Sequence, residues 1–274
     1  MSDSSNSTSQ GWDQASKGYA DKVAPKLMEP FTGEMIDLLQ IEPYGKAIEV
    51  ACGSGILTVP LARKVDSLLA TDFSSEMIKL AKESVEDAGM LNVRFEVMDG
   101  QALEVADNSM NYAASSFGIM LFEDRIQGFR ELNRVLMPEG RAVVSAWAGP
   151  DRFEAFGLFL RALSTAFPDL PKPESPPPVF SLSDLEVFKE EFEKGGFEDV
   201  AVGFVDRTVT IDGLDEVWEM MTSGAPPVKE FIDKVGQEGK VKLYESLERV
   251  LFSEFGEGPI SLTNTATIGV GKAT

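Results

Sequence analysis

The sequence predicts an α/β protein: a doubly wound, mostly parallel sheet with an antiparallel last strand, plus a helical lid. Three observations predict it. Strand-like apolar runs alternate with helix-spaced runs through the first 147 residues, the pattern of a parallel sheet covered on both faces. One early run, AIEVACGSGILTVPLA (Ala47 to Ala62), goes from apolar into an acid, turns through small residues and resumes at helical spacing. Lastly, Glu49, Asp72 and Asp99 fall at or near the ends of the first three strands, where an open α/β sheet binds its ligand.

The elements follow in order. Residues 1–14 are polar and read as a disordered tail, without the basic flank and apolar stretch of a secretory signal. Ala15 to Leu39 is helical in spacing but interrupted by Pro25 and Pro30, so residues 15–45 are expected as one or two short helices. The core is expected over residues 46–148. Its first strand enters the glycine turn, and a helix runs from Ile56 to Lys64. Ser67 to Phe73 is a second strand, after which Ser74 and Ser75 offer N-caps to a helix that Gly89 ends. Val93 to Gly100 alternates as a third strand and Met110 to Met120 supplies a fourth. A helix from about Asp124 to Leu136 is closed by Pro138 and Gly140, and Arg141 to Trp147 is the next strand. Residues 149–274 complete the sheet. They hold a helix from Arg152 to Phe167, a proline-rich loop from Pro168 to Phe180, a serine-capped helix stopped at Gly195–Gly196, and a strand from Val200 to Ile211. Lid helices are expected over about 213–257, and TNTATIGVGKA forms the last strand.

Composition narrows the functions. The formal net charge is −20, with 25 basic against 45 acidic residues. That leaves little electrostatic footprint for nucleic acid or anionic lipid, so the expected partner is a small molecule, with no nucleic acid and no membrane span. The chain holds no histidine, which excludes His-based triads and His-containing zinc sites; no metal is expected. A single cysteine, Cys52, excludes an internal disulfide framework and fits a cytoplasmic protein. It sits inside the glycine turn and reads as packing.

A turn of this kind can hold NAD, a nucleoside triphosphate or S-adenosylmethionine. A P-loop needs a second glycine followed by Lys; from Gly53 that position falls on Thr58 and no Lys follows. The dinucleotide fingerprint needs a third glycine for close helix packing, and Thr58 again occupies its place. Asp72 is placed to accept from ribose hydroxyls and Asp99 from an adenine amine. An acidic rim suits a sulfonium cation better than a pyrophosphate.

Taken in order, EVACGSG, ATDFSSEMI, MDGQALEVADNSM, SSFGIMLFEDR and ELNRVLMPEGRAVVSAW resemble the sequential motifs of class I S-adenosylmethionine-dependent methyltransferases. The match covers about Ala47 to Trp147 and looks closest to the small-molecule branch, similar to the quinone-biosynthesis C-methyltransferases and methyltransferase type 11-like proteins. The resemblance implies a Rossmann-like core binding S-adenosylmethionine and releasing S-adenosylhomocysteine. By that resemblance Glu49, Gly53, Ser54 and Gly55 serve the methionine end, and Asp72, Phe73 and Met77 the ribose and adenine. Asp99, Gly100, Gln101 and Ala102 border the adenine amine, Ser115 lies near the transferred methyl, and Tyr19 closes over the methionine end. Tyr19 and Ser115 are therefore also the catalytic candidates. The chain departs from the family pattern at Glu49 (usually Asp), Ala51 (usually Gly) and Asn111 (usually Asp).

The reaction implied is in-line methyl displacement onto a sulfur, nitrogen or carbon nucleophile of a small molecule, such as a thioether or amine metabolite acid or a quinone-like ring. Candidates for its pocket are Trp12, Phe117, Met120, Trp147, Arg152 as a carboxylate anchor, Phe153, Trp218 and Met221. Two alternatives stand beside it: a catalytically silent cofactor-binding partner subunit, and an NAD-dependent oxidoreductase.

Overall fold

The computed structural model describes residues 9–42, 45–171, 177–223 and 226–274. Strands β1 (Lys46–Val50), β2 (Ser67–Asp72), β3 (Val93–Val97), β4 (Met110–Ser116) and β5 (Leu136–Trp147) run parallel. β6 (Phe197–Ile211) and β7 (Ile260–Ala273) extend the sheet, with β7 antiparallel to both β5 and β6. The seven strands lie in the order β3-β2-β1-β4-β5-β7-β6. The order reverses between β1 and β4, and the crevice at their C-terminal ends is the natural ligand position of such a sheet.

Helices α1 (Ser9–Gly18), α2 (Ala24–Leu27) and α3 (Thr32–Leu39) precede the sheet. α4 (Thr58–Ala62), α5 (Ser75–Asp87) and α6 (Arg125–Val135) connect its parallel strands. α7 (Glu154–Ala166) and α8 (Leu185–Lys194) lie between β5 and β6, and α9 (Leu214–Thr222), α10 (Pro226–Lys234) and α11 (Gly236–Phe255) between β6 and β7. Strand alternation divides the core. On one face, Phe129 of α6 packs 4.7 Å from Phe192 of α8, and Gly269 and Gly271 of β7 let the Phe188 and Phe192 rings, respectively, reach the backbone. On the opposite face, Trp147 stacks at 4.0 Å on Phe153 and meets Phe117 at a tilt, ring centroids 4.3 Å apart.

Several boundaries differ from expectation. Residues 9–14, read as tail, form the start of α1 because Trp12 is buried and Asp13 is hydrogen-bonded to the α5 terminus; residues 1–8 lie outside the described residues. The N-terminal helices do break at the prolines, with a π-helical turn at Tyr19–Val23 and a 3-10 turn at Glu29–Phe31; residues 43–44 of this region are also outside. α4 is shorter than the pattern suggested, since the glycine turn continues to Leu57. Pro138 and Gly140 do not close α6; they lie in an irregularity of β5, where the pairing with β4 shifts register. Asp184, not a serine, caps α8, accepting from the Glu186 and Val187 N–H groups. Residues 172–176 of the proline-rich loop are outside the described set. Among the described residues no helix is long and apolar enough to cross a membrane.

Candidate functional site

The site grows from the turn after β1. The turn is pinned to β2 by the Cys52 N–H donating to the Thr71 carbonyl at 2.9 Å. Gly53 has φ +54, and a side chain there would point into open space; Gly55 has φ +92 and packs so close that an added Cβ would lie 3.2 Å from Ala81 Cα of α5. Ala51 adopts φ +56, a left-handed conformation that glycine takes freely and alanine only with strain.

Asp72 ties this turn to α5. Its Oδ2 accepts from the Gly53 N–H and its Oδ1 from the Ser74 N–H, both at 2.9 Å. Ser74 caps α5 by accepting from the Met77 N–H. The Ser74 hydroxyl in turn donates to Asp13 of α1 at 2.6 Å, and the same carboxylate accepts from the Glu76 N–H. α1 is thereby fastened across the C-terminal ends of the strands.

Between these elements lies a cavity of about 240 Å³. Its charged lining consists, among the described residues, of Asp72, Asp99 and Glu123, with no lysine or arginine. Burial pushes the Asp72 carboxyl up to about 6 against its backbone donors, with the Asp13 charge adding to the rise. Burial, with Asp72 nearby, holds the Tyr19 phenol well above its ordinary range. These are surroundings that favour a cationic guest and disfavour a polyphosphate.

A second cavity of about 400 Å³ adjoins the first, and Trp12, Tyr19, Phe117 and Leu121 line both. Leu158, Phe159, Val217, Met220 and Phe231 are among its other walls, and among the described residues no ionisable side chain but Tyr19 lines it. Phe117, at the partition, has φ +56, a genuine outlier for a bulky residue. Its N–H is held by the Ser145 carbonyl and hydroxyl at 3.1 Å each, and its ring is clamped between Phe31 and Trp147.

Of the expected cofactor residues, Tyr19, Gly53, Ser54, Asp72, Phe73, Met77, Asp99, Gly100 and Gln101 line the first cavity. Four do not. Glu49 is wholly buried behind the turn, accepting from the Thr58 hydroxyl at 2.6 Å. Gly55 is turned against α5. Ala102 closes a turn with its N–H on the Asp99 carbonyl. Ser115 is buried with its hydroxyl unpartnered, and its neighbour Ser116 lines the cavity instead. Cys52, read as packing, is buried but does contribute to the wall.

Of the expected acceptor residues, Trp12, Phe117, Met120, Trp147, Phe153 and Met221 line the second cavity. Arg152 does not: it is exposed, its guanidinium 4.4 Å from the Phe204 ring centroid. Trp218 turns its ring edge-on to Tyr244 instead. Sequence reasoning missed Met98 and Glu123 in the first cavity, and Asp13 behind it.

Residues 47–140 match the family model described as a methyltransferase domain. The chain is 30% identical over 169 residues to the demethylmenaquinone methyltransferase of Staphylococcus aureus strain JH9, covering 57% of this chain and 69% of that protein. It thus belongs to the class I S-adenosylmethionine-dependent methyltransferases. It is also 33% identical over 110 residues to the ubiquinone/menaquinone biosynthesis C-methyltransferase of Geotalea uraniireducens; that match takes in 39% of this chain and spans about half, 47%, of the relative. Among solved structures, the YcgJ protein of Bacillus subtilis superposes with a TM-score of 0.57 at 18% identity, covering 88% of this chain and 97% of that one, which bears on the fold alone.

Proposed function

We propose that this chain transfers the methyl group of S-adenosylmethionine to an uncharged, largely apolar small molecule seated in the second cavity, with a quinone-like ring as the favoured acceptor. The observation that carries this is the pairing of an acid-lined cavity with an apolar one across the partition of Trp12, Tyr19, Phe117 and Leu121. When bound, S-adenosylmethionine supplies an electrophilic methyl on a sulfonium.

The residues divide the remaining work. Gly53 offers backbone without a side chain in the way, and Asp72 keeps lone pairs free for ribose hydroxyls beyond those used by Gly53 and Ser74. Asp99, held by the Gln101 backbone and side-chain N–H groups, faces the cavity with Gly100 and suits an adenine amine. Tyr19 keeps its proton, so it serves as a hydrogen-bonding wall and not as a base. The partition's bulky side chains stand at the junction, where exclusion of water would favour in-line displacement. Among the described residues no carboxylate or amine lines the apolar cavity to act as a base, which favours an acceptor whose nucleophile is reactive as it arrives. A metabolite acid would leave its own charge unpaired there, which is the reason for favouring a ring over a thioether or amine acid.

Calorimetric titration with S-adenosylhomocysteine, beside NADH and an Asp72→Ala variant, tests the cofactor. Binding of S-adenosylhomocysteine that weakens about 100-fold in the variant is expected. NADH binding without S-adenosylhomocysteine binding overturns the reading. Methyl-labelled donor mixed with fractionated metabolites then tests the acceptor; label entering only polar acids overturns the apolar class.

A further inference from the structure

Glu49 occupies an unusual position for a charged residue. It is the penultimate residue of β1, beneath the cofactor turn, has no solvent exposure, and among the described residues its Oε1 has no hydrogen-bond partner. Its Oε2 accepts one bond, from the Thr58 hydroxyl of α4. The groups around it are neutral or acidic: Cys52 in the turn, Thr71 bonded to the Glu49 carbonyl from β2, and Asp72 at the end of β2. Asp72 is itself faced by Asp13 of α1, Tyr19 of the π-helical turn and the backbone of Ser74. Among the described residues no lysine or arginine acts on either carboxyl. An ionised Glu49 would be a buried charge without a counterion, costing several kcal/mol. The proton therefore stays on in the free protein, and burial pushes the Glu49 carboxyl up to about 8.

We infer that Glu49, without touching the cofactor cavity, is a positioning residue that sets the cofactor's charge preference: binding S-adenosylmethionine drives a proton off Glu49, and binding S-adenosylhomocysteine does not. The inference rests on the methyltransferase reading above. The methylated cofactor carries one more positive charge than its product. Asp72, bonded to the Gly53 N–H on the cavity side, and Glu49, beneath the same turn, share that cation as their missing countercharge. Methyl transfer removes it, and Glu49 recovers its proton from solvent.

The sign follows from linkage. A ligand that prefers the ionised site releases a proton wherever the free site still holds one, and its affinity rises with pH until the free site has ionised by itself. For Glu49 that rise ends above about 8, whereas Asp72, at about 6, has mostly ionised by neutrality. In the neutral to mildly alkaline range Asp72 thus contributes little; the α-amino group that both ligands carry also titrates there, and the share that belongs to Glu49 is the part lost in Glu49→Gln.

The test is calorimetry of both cofactors at about pH 7.5 in two buffers of different ionisation heat, repeated between about pH 6.5 and about pH 8.5. S-adenosylmethionine is expected to release a substantial fraction of one proton and S-adenosylhomocysteine little. The ratio of their affinities is expected to rise about threefold to tenfold over that range. In Glu49→Gln, which keeps an acceptor for Thr58, that share of the release is expected to vanish and the ratio to become flat. Equal release with both ligands, or release undiminished in Glu49→Gln, overturns the inference. Should that variant not fold, Thr58→Val retains the carboxyl without its hydrogen bond and is expected to move the rise to higher pH; an unmoved rise counts against Glu49. Failure of either cofactor to bind at any pH overturns the methyltransferase reading instead, so the two failures are distinct.

Discussion

The two cavities share a wall and are built in opposite ways. The first sets carboxylates and the glycine turn, drawn from short motifs at the strand ends between Ala51 and Glu123, among apolar walls such as Phe73, Met77 and Met98, with α1 laid over them. The second gathers apolar side chains from positions as far apart as Trp12 and Leu262. Charge and hydrogen-bond geometry define the one, shape and volume the other. A site defined by charge tolerates few changes at its acids but is indifferent to distant packing. A site defined by packing should respond to volume and leave cofactor affinity alone.

Phe153→Ala is the strongest test of that separation. Phe153 is buried, stacks on Trp147, and lines only the second cavity. Removing a buried phenyl from a core typically destabilises by 3–5 kcal/mol; because this ring already borders open space, about 3 kcal/mol is expected. Thermal denaturation measures the loss, while S-adenosylhomocysteine affinity should stay within about twofold. A parallel collapse of cofactor affinity would mean that the cavities are one energetic unit.

The partition itself offers a second, smaller effect. A Cβ added at Gly118 would sit 2.4 Å from the Ala51 Cβ and 2.9 Å from Ser115 Oγ, although the backbone at Gly118, with φ −93, accepts alanine. Gly118→Ala is expected to cost about 1–3 kcal/mol by overpacking and to displace Phe117 beside it. Ala51→Gly removes both the obstructing methyl and the left-handed strain, so the double variant should recover most of the loss. A double-mutant cycle by chemical denaturation reads the coupling; additive losses would show that the contact does not set the partition.

What was legible in the sequence follows the same division. Alternating strands and helices gave the fold because both periods are written locally, and the acids Asp72 and Asp99 stood at strand ends as the sheet requires. A strand end does not say to which side a residue turns. Glu49 therefore went to the buried side, and Ser115 and Ser116 exchanged places, since a one-residue slip moves a side chain to the other face. Arg152 failed as an anchor because nothing in its local pattern recorded the Phe204 ring beyond it. Asp13 was invisible for a different reason: it caps a helix 61 positions away, and no motif joins residues so far apart. The single tryptophan in the polar opening stretch was the available signal that this segment is ordered.

Asp13 also gives the finest test, because it does two separable things. It accepts hydrogen bonds from Ser74 and from the Glu76 N–H, fastening α1 over the first cavity, and its charge raises the Asp72 carboxyl. Asp13→Ala removes both and is expected to cost about 1 kcal/mol of stability, as lost caps do. It should also weaken S-adenosylhomocysteine binding several-fold as Trp12 and Tyr19 loosen. Asp13→Asn keeps an acceptor and deletes the charge, so stability should change by less than about 0.5 kcal/mol. The sign of its pH effect is fixed by linkage. With the repelling charge gone, Asp72 ionises at lower pH, and the acid limb of cofactor affinity, which falls below about 6 in the parent protein, should move to more acidic values. If Asn and Ala behave alike across pH, Asp13 acts only as a fastener. If Asn shifts the limb while leaving stability intact, the charge of α1 is part of the cofactor site although the residue never lines it.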